Sequence, residues 1–291
     1  MMEYVLHLAI FISIYSIAGL SLNLIVGYTG IFSITHAVFY AVGSYATAIL
    51  LTQHGVNFFL TILVGVLIAV VLSLLIGIFL SRFSEDYCAI VSLGFNVIGF
   101  AVLINWKGLT RGPFGFPGIG KPSIFDIVLS SKMSFLILSL SILAGVYALC
   151  RFLAASSFGR VLKAIRENEN AIQVFGYNTF YYKIAIFVIG SVIVSVAGSL
   201  FASYLTFINP YMFTINESIF ILVIIMLGGL ASLGGSVVGA LVLVLLPEAL
   251  RFLGLPTLIA AQMRQVIYGI IIMLLMLFRP QGLIGEYKLQ Q

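Results

Sequence analysis

Charge is what this sequence has least of. Its 291 residues include 14 lysines and arginines and 9 aspartates and glutamates, 8% together. A soluble domain carries about 25%. The polar surface needed to clothe a water-soluble globule is missing, which excludes a soluble enzyme and a disordered chain. Cysteine is almost as scarce. Cys88 and Cys150 both lie in apolar stretches, support neither a disulfide framework nor a metal site, and read as small packing residues. His7, His36 and His54 are scattered, with no Cys, Asp or Glu at ligand spacing. No metal site, cofactor or catalytic group is therefore expected, and no Gly-x-Ser-x-Gly elbow occurs. Positive charge is also absent before Arg82. The first apolar run thus has no basic leader region, and the N-terminus is expected on the non-cytoplasmic side.

Apolar residues fill the gap. They make up 62% of the chain, with 28 glycines besides, and the mean hydropathy is +1.21. A helix that crosses a bilayer needs about 20 mostly apolar residues. Segments 4–26, 31–51, 57–80, 86–105, 133–153, 184–208 and 260–279 meet that requirement. The stretch 217–250 is too long for one span and is interrupted by Gly228-Gly229-Leu-Ala-Ser-Leu-Gly234-Gly235. It reads as two short helices, 217–230 and 236–250, each rising only ~21–23 Å. That falls short of a core of ~30 Å, so these helices are broken or re-entrant and enclosed by protein. The expected fold is all-α: one polytopic membrane helix bundle over residues 1–291, with about eight to nine transmembrane segments. Continuous apolar runs argue against a β-barrel. With the N-terminus outside and the C-terminus inside, eight basic residues fall inside and six outside. The net charge of +5 is then charge in loops at a membrane surface, and no nucleic-acid partner is implied.

Two loops are substantial. Residues 106–132 carry Gly108, Gly112, Pro113, Gly115, Pro117, Gly118, Gly120 and Pro122 and should form an ordered outer loop of turns. Within it, Gly115–Lys121 approaches the phosphate-cradling pattern, but Pro122 stands where a magnesium-binding Ser/Thr is required, and proline supplies no amide donor. The chain therefore shows no engine of its own. Residues 154–183 form a polar cytoplasmic loop. There Val161, Leu162, Ile165 and Ile172 alternate with charges, as in an amphipathic helix at the membrane edge.

Polar residues inside the spans carry the functional argument. Asn23, His36, Tyr40, Ser44, Asn96 and Glu217 lie in or at the ends of apolar segments. Such groups must face protein or a water-filled path. Asn23, His36, Tyr40, Ser44 and Asn96 are candidates for a substrate path; bonds between neighbouring helices are the other reading. His36, Tyr40 and Ser44 share one face of a helix. Gly27-Tyr-Thr-Gly30 breaks the first pair of segments as Gly228–Gly235 breaks the later pair, an internal echo that points to a transport site near the bilayer midplane. Ser191, Ser195, Ser199 and Ser203 form a small-residue stripe suited to close helix packing, within the chain or against a second membrane subunit.

Several motifs together resemble a known family. They are Leu20-Ser-Leu-Asn23-Leu-Ile-Val-Gly27-Tyr28-Thr-Gly30-Ile-Phe-Ser33 with His36-Ala37 and Phe39; Asp86-Tyr87 to Gly94-Phe95; and Asn105-Trp106 to Gly115. Ser157-Phe-Gly159-Arg160 through Glu169, Ala171 and Gly176 follow, then Leu227-Gly228-Gly229-Leu-x-Ser232 and Phe278-Arg279-Pro280-x-Gly282-Leu283. In this order they resemble the permease subunits of branched-chain amino-acid ABC importers, of the LivM type. The resemblance implies a multi-pass protein of the bacterial inner membrane that forms a path for hydrophobic amino acids. It implies two ABC ATPase subunits, a second related permease subunit in a heterodimer, and an extracytoplasmic solute-binding protein. Gly159, Arg160, Lys163, Arg166, Glu167, Glu169 and Gly176 would then belong to the segment that meets the ATPase, with Gly176 ending its helix. Related permeases also carry urea or short amides, and a secondary carrier is the remaining alternative. Asn170 and Ile172 depart from the small residues common in that segment, and Lys107 and Arg111 make the outer loop more basic than usual.

Overall fold

The computed structural model describes residues 2–83, 85–124, 127–129, 131–251, 266–267, 269–270, 273–274 and 282–284. The proposed span 260–279 and the Phe278-Arg279-Pro280 motif lie largely outside them.

Helix α1 (Met2–Leu22) runs on into a π turn (Asn23–Gly27), and the chain leaves the helix for residues 30–35. α2 spans His36–His54, so it starts five residues later than the apolar run suggests. Gly55 closes it at φ +58°. α3 (Phe58–Leu80) starts at Asn57, whose side chain accepts from Phe59 N at 3.0 Å, one of the amides a helix start leaves open. α4 is Glu85–Asn105. The glycine- and proline-rich loop then makes a helical turn α5 (Lys107–Thr110), a 3₁₀ turn (Gly112–Phe114), β1 (Phe116–Pro117), and a small hairpin of β2 (Ser123–Ile124) with β3 (Ile127–Val128). α6 is Lys132–Ala155.

The expected amphipathic helix of the 154–183 loop proves to be two: α7 (Ser157–Glu167) and α8 (Glu169–Val174). Asn168 divides them. Its backbone is extended, and its side chain accepts from Ala171 N at 3.0 Å, a competition with helix typical of asparagine. α9 (Thr179–Leu205) returns to β4 (Phe207–Ile208), which pairs antiparallel with β1, and a 3₁₀ turn (Pro210–Phe213) follows. α10 (Ile215–Gly228) and α11 (Leu233–Arg251) meet at 119° across the glycine-rich bend.

Among the described residues, five helices are long and apolar enough to cross a membrane, six when α10 and α11 count as one bent span. The protein is therefore an all-α, multi-pass membrane protein. α2 is not among those helices. It carries His36, Tyr40, Ser44, Tyr45 and Thr47 and sits inside, against α9 and α3. The small-residue stripe explains that seat. A Cβ on Gly43 would lie 1.9 Å from Ser195 O, and one on Gly198 would lie 2.0 Å from Tyr40 O. α2 and α9 thus cross backbone to backbone, and the Ser191–Ser203 stripe is spent within the chain. α3, α4 and α6 form the rim, where Leu67, Ile90, Val97 and Ile137 are exposed, the faces that lipid would cover.

Candidate functional site

The two glycine breaks meet. Asn23 is fully buried at the end of α1. Its Nδ2 donates to Ser236 Oγ (2.7 Å), Ser232 O (2.9 Å) and Gly229 O (3.3 Å), and its Oδ1 accepts from Ala231 N (2.9 Å). A Cβ on Gly27 would lie 2.6 Å from Ala231 N, so the first break fits against the second only as glycine. The second break is tight within itself: a Cβ on Gly228 would lie 2.0 Å from Gly235 O, and one on Gly235 2.4 Å from Gly228 O. The segment 282–284 completes the end of α10. Leu283 N donates to Leu227 O and Ile284 N to Gly228 O, both at 2.9 Å, so two carbonyls that a helix end leaves open are satisfied.

The loop helices grip the first break. Arg166 Nη1 donates to Gly27 O, and Lys163 Nζ lies 5.3 Å from the centroid of the Tyr28 ring, within cation–π range. Glu169 pairs with Lys183 and accepts from Thr179 Oγ1 at 2.7 Å, which fastens α8 to α9. Three of the residues expected to face an ATPase are thus turned toward the bundle. Arg160 and Glu167 stay exposed. Arg160 donates to Ser157 Oγ (2.9 Å) at the start of its own helix and to Ala155 O (3.3 Å) at the end of α6. Gly159 is buried; a Cβ there would lie 2.4 Å from Leu153 O, so it allows the sharp turn from α6 into α7. Gly176 takes φ +87° just past α8, a helix-ending conformation suited to glycine. Beside it Val174 and Phe175 are 87% and 77% exposed, an apolar tip that loop composition did not single out.

The path candidates divide in two. Asn96 Nδ2 donates to Ile34 O (2.7 Å) and Ser218 Oγ (2.8 Å). Ser218 Oγ also accepts from Ala37 N (2.9 Å), and Ser92 Oγ accepts from Ile34 N (2.9 Å). Together they cap the N-terminus of α2 in the bundle interior. Ser44 Oγ donates to Gly198 O (2.8 Å) and Tyr40 O (2.9 Å). Asn23, Asn96 and Ser44 are therefore framework as well as candidates. His36 and Tyr40 are different. Both are fully buried, and both ring nitrogens of His36 and the hydroxyl of Tyr40 lack a hydrogen-bond partner among the described residues. Ser218, Ser232 and Ser236 do much of the bonding, yet isolated serines in apolar runs gave no sequence signal beyond small size.

The model of the branched-chain amino acid transport system permease component matches residues 4–276. The chain belongs to this family. The family is one of membrane transport components rather than enzymes. Among its relatives, the Escherichia coli (strain K12) high-affinity branched-chain amino acid transport system permease protein LivM is 30% identical, over 93% of this chain and 68% of its own. The probable branched-chain amino acid transport permease protein LivM of Methanocaldococcus jannaschii is 27% identical, over 94% and 91%. The Escherichia coli (strain K12) permease protein LivH is 26% identical, over 96% and 94%. No solved structure matches the chain.

Proposed function

We propose that this permease-family chain is one wall of the path in an ATP-driven importer of branched-chain amino acids, in a bacterial inner membrane. It has eight to nine spans, with the N-terminus and residues 106–132 outside and the 154–183 loop in the cytosol. Two ABC ATPase subunits supply the energy, a second related permease completes the path as a heterodimer, and an extracytoplasmic binding protein delivers the solute. The names of the relatives support amino acids over urea or short amides.

The observation that carries the mechanism is the bond from Arg166 to Gly27 O. It links α7 to the first break, and Asn23 links the first break to the second. A push on the exposed side of the loop (Arg160, Glu167 and the Val174–Gly176 tip) reaches both breaks through a short chain of fixed contacts. Broken helices can move there without losing a long run of backbone bonds. The path passes His36 and Tyr40, whose free polar atoms suit passing water and solute, and Asn23, Ser44 and Asn96 hold its frame.

Arg166→Gln tests this in the intact importer with both permeases, the ATPases and the binding protein. ATP hydrolysis should persist while leucine uptake falls at least tenfold. Uptake at the wild-type level would reject the coupling route. Gradient-driven flux through the purified chain alone would favour a secondary carrier.

A further inference from the structure

A cavity of 710 Å³ opens between α1, α10 and α11, and neither His36 nor Tyr40 lines it. Its volume is in the range of small-molecule sites, ~300–1000 Å³. The 3₁₀ turn at 210–213 contributes Tyr211 and Met212 to its rim, which places its mouth at the end of the bundle where β1 and β4 pair. Two carboxylates, Glu217 and Glu248, line it, and no lysine or arginine does among the described residues. Glu217 Oε1 is buried and has no hydrogen-bond partner among them. The wall beside it is aromatic. Phe11 stacks on Tyr15 with centroids 6.2 Å apart, and Tyr15 meets Phe220 edge-on at 4.9 Å. Val244 adds an aliphatic surface to the lining.

An acidic pocket with aromatic walls and no fixed cation selects a positive charge. Carboxylate pairing and ring faces both favour an ammonium group, and the burial of Glu217 Oε1 strengthens the pairing. The aliphatic side holds an apolar body. We infer that this cavity is a solute site on the uptake side of the path, and that Glu217 anchors the ammonium of an amine-bearing aliphatic solute. The inference rests on the importer reading. It adds a site and a reason for preferring amino acids: urea and short amides have no cation to offer Glu217.

In the reconstituted importer, Glu217→Gln keeps the shape and removes the charge. Leucine uptake below saturation should fall at least tenfold, with the subunits co-purifying in wild-type proportion, and Glu217→Asp should recover most of it. Uptake within twofold of wild type in Glu217→Gln would overturn the site. Failure of the wild-type importer to move leucine would instead count against the importer reading. A second measurement leaves Glu217 in place. Cys88 and Cys150 are buried, so in Val244→Cys a maleimide reports on the cavity. 3-Methylbutylamine should slow that labelling at least threefold, and 4-methylpentanoate, which has the same body without the amine, should not. Equal protection by both, or by neither, would overturn the inference.

Discussion

The two glycine breaks are alike in sequence and unlike in construction. The second, at 228–235, is closed by contact. Backbone presses on backbone at Gly228 and Gly235, and again where a Cβ on Gly239 would lie 2.1 Å from Ile224 O. The first, at 27–35, touches the second backbone to backbone at Gly27 and is more loosely built beyond it. A π turn loosens the end of α1, six residues run without helix, and α2 restarts on side-chain caps from Ser218. Close backbone packing is rigid, because nothing can rotate out of the way. Side-chain caps and a π turn can re-form in a second arrangement. The comparison points to the stretch beyond Gly27 as the hinge, the place where movement costs least; Arg166 and Lys163 hold it from the loop, and Gly27 and Asn23 tie its start to the second break, the block.

The largest effect should follow from breaking the block. Gly228→Val forces a branched side chain onto Gly235 O. Overpacking costs 1–3 kcal/mol in ordinary cores and occasionally more, and backbone on the far side leaves little room to yield. Loss of the folded species is expected, read as disappearance of the monodisperse peak in detergent. A variant that folds and transports normally would show that the second break is no more rigid than the first.

Asn23→Ala should come next. It strands Ala231 N and reduces the partners of two buried carbonyls, at a cost of about 1–3 kcal/mol. The folded yield should drop without vanishing, and ATP hydrolysis should lose its link to uptake, since the hinge no longer carries the block. Asn23→Asp keeps an acceptor for Ala231 N but loses the donors, and should be intermediate in thermal stability. If Asn23→Ala leaves uptake intact, the two breaks move independently.

Much of this arrangement was legible from residue types, and the reasons are physical. Long apolar runs fix α1, α3, α4, α6 and α9, because lipid tolerates little else. Paired glycines announce the bend at 228–235, since no other residue permits such approach. Two features were not legible. The run 31–51 reads as an ordinary span; the seat of α2 in the interior depends on Gly43 meeting a carbonyl of α9 and Gly198 meeting one of α2, which spacing alone does not reveal. The direction of Lys163, Arg166 and Glu169 was equally hidden. Amphipathicity says that charges leave the apolar face, but not that they reach Tyr28, Gly27 and Lys183. The echo between the breaks showed that two bends exist; only the fold shows that one asparagine joins them.

The smallest effect tests how much of the hinge's hold is mechanical. Lys163 is exposed, and its ammonium over Tyr28 is worth about 0.5–1 kcal/mol in such a setting. Arg166 makes a directed bond to a backbone carbonyl, a firmer grip than a charge over a ring. Lys163→Gln should therefore lower the melting temperature by only a few degrees and reduce uptake less than twofold, while Lys163→Arg, which keeps a cation over the ring, should match wild type. Melting by light scattering and leucine uptake in proteoliposomes check both. If Lys163→Gln abolishes uptake as Arg166→Gln is expected to, the grip on the first break is shared electrostatic attraction rather than one bond. The hinge would then be steered by the charge of the whole helix α7, and uptake should become sensitive to salt within the Debye range of ~10 Å at 0.1 M.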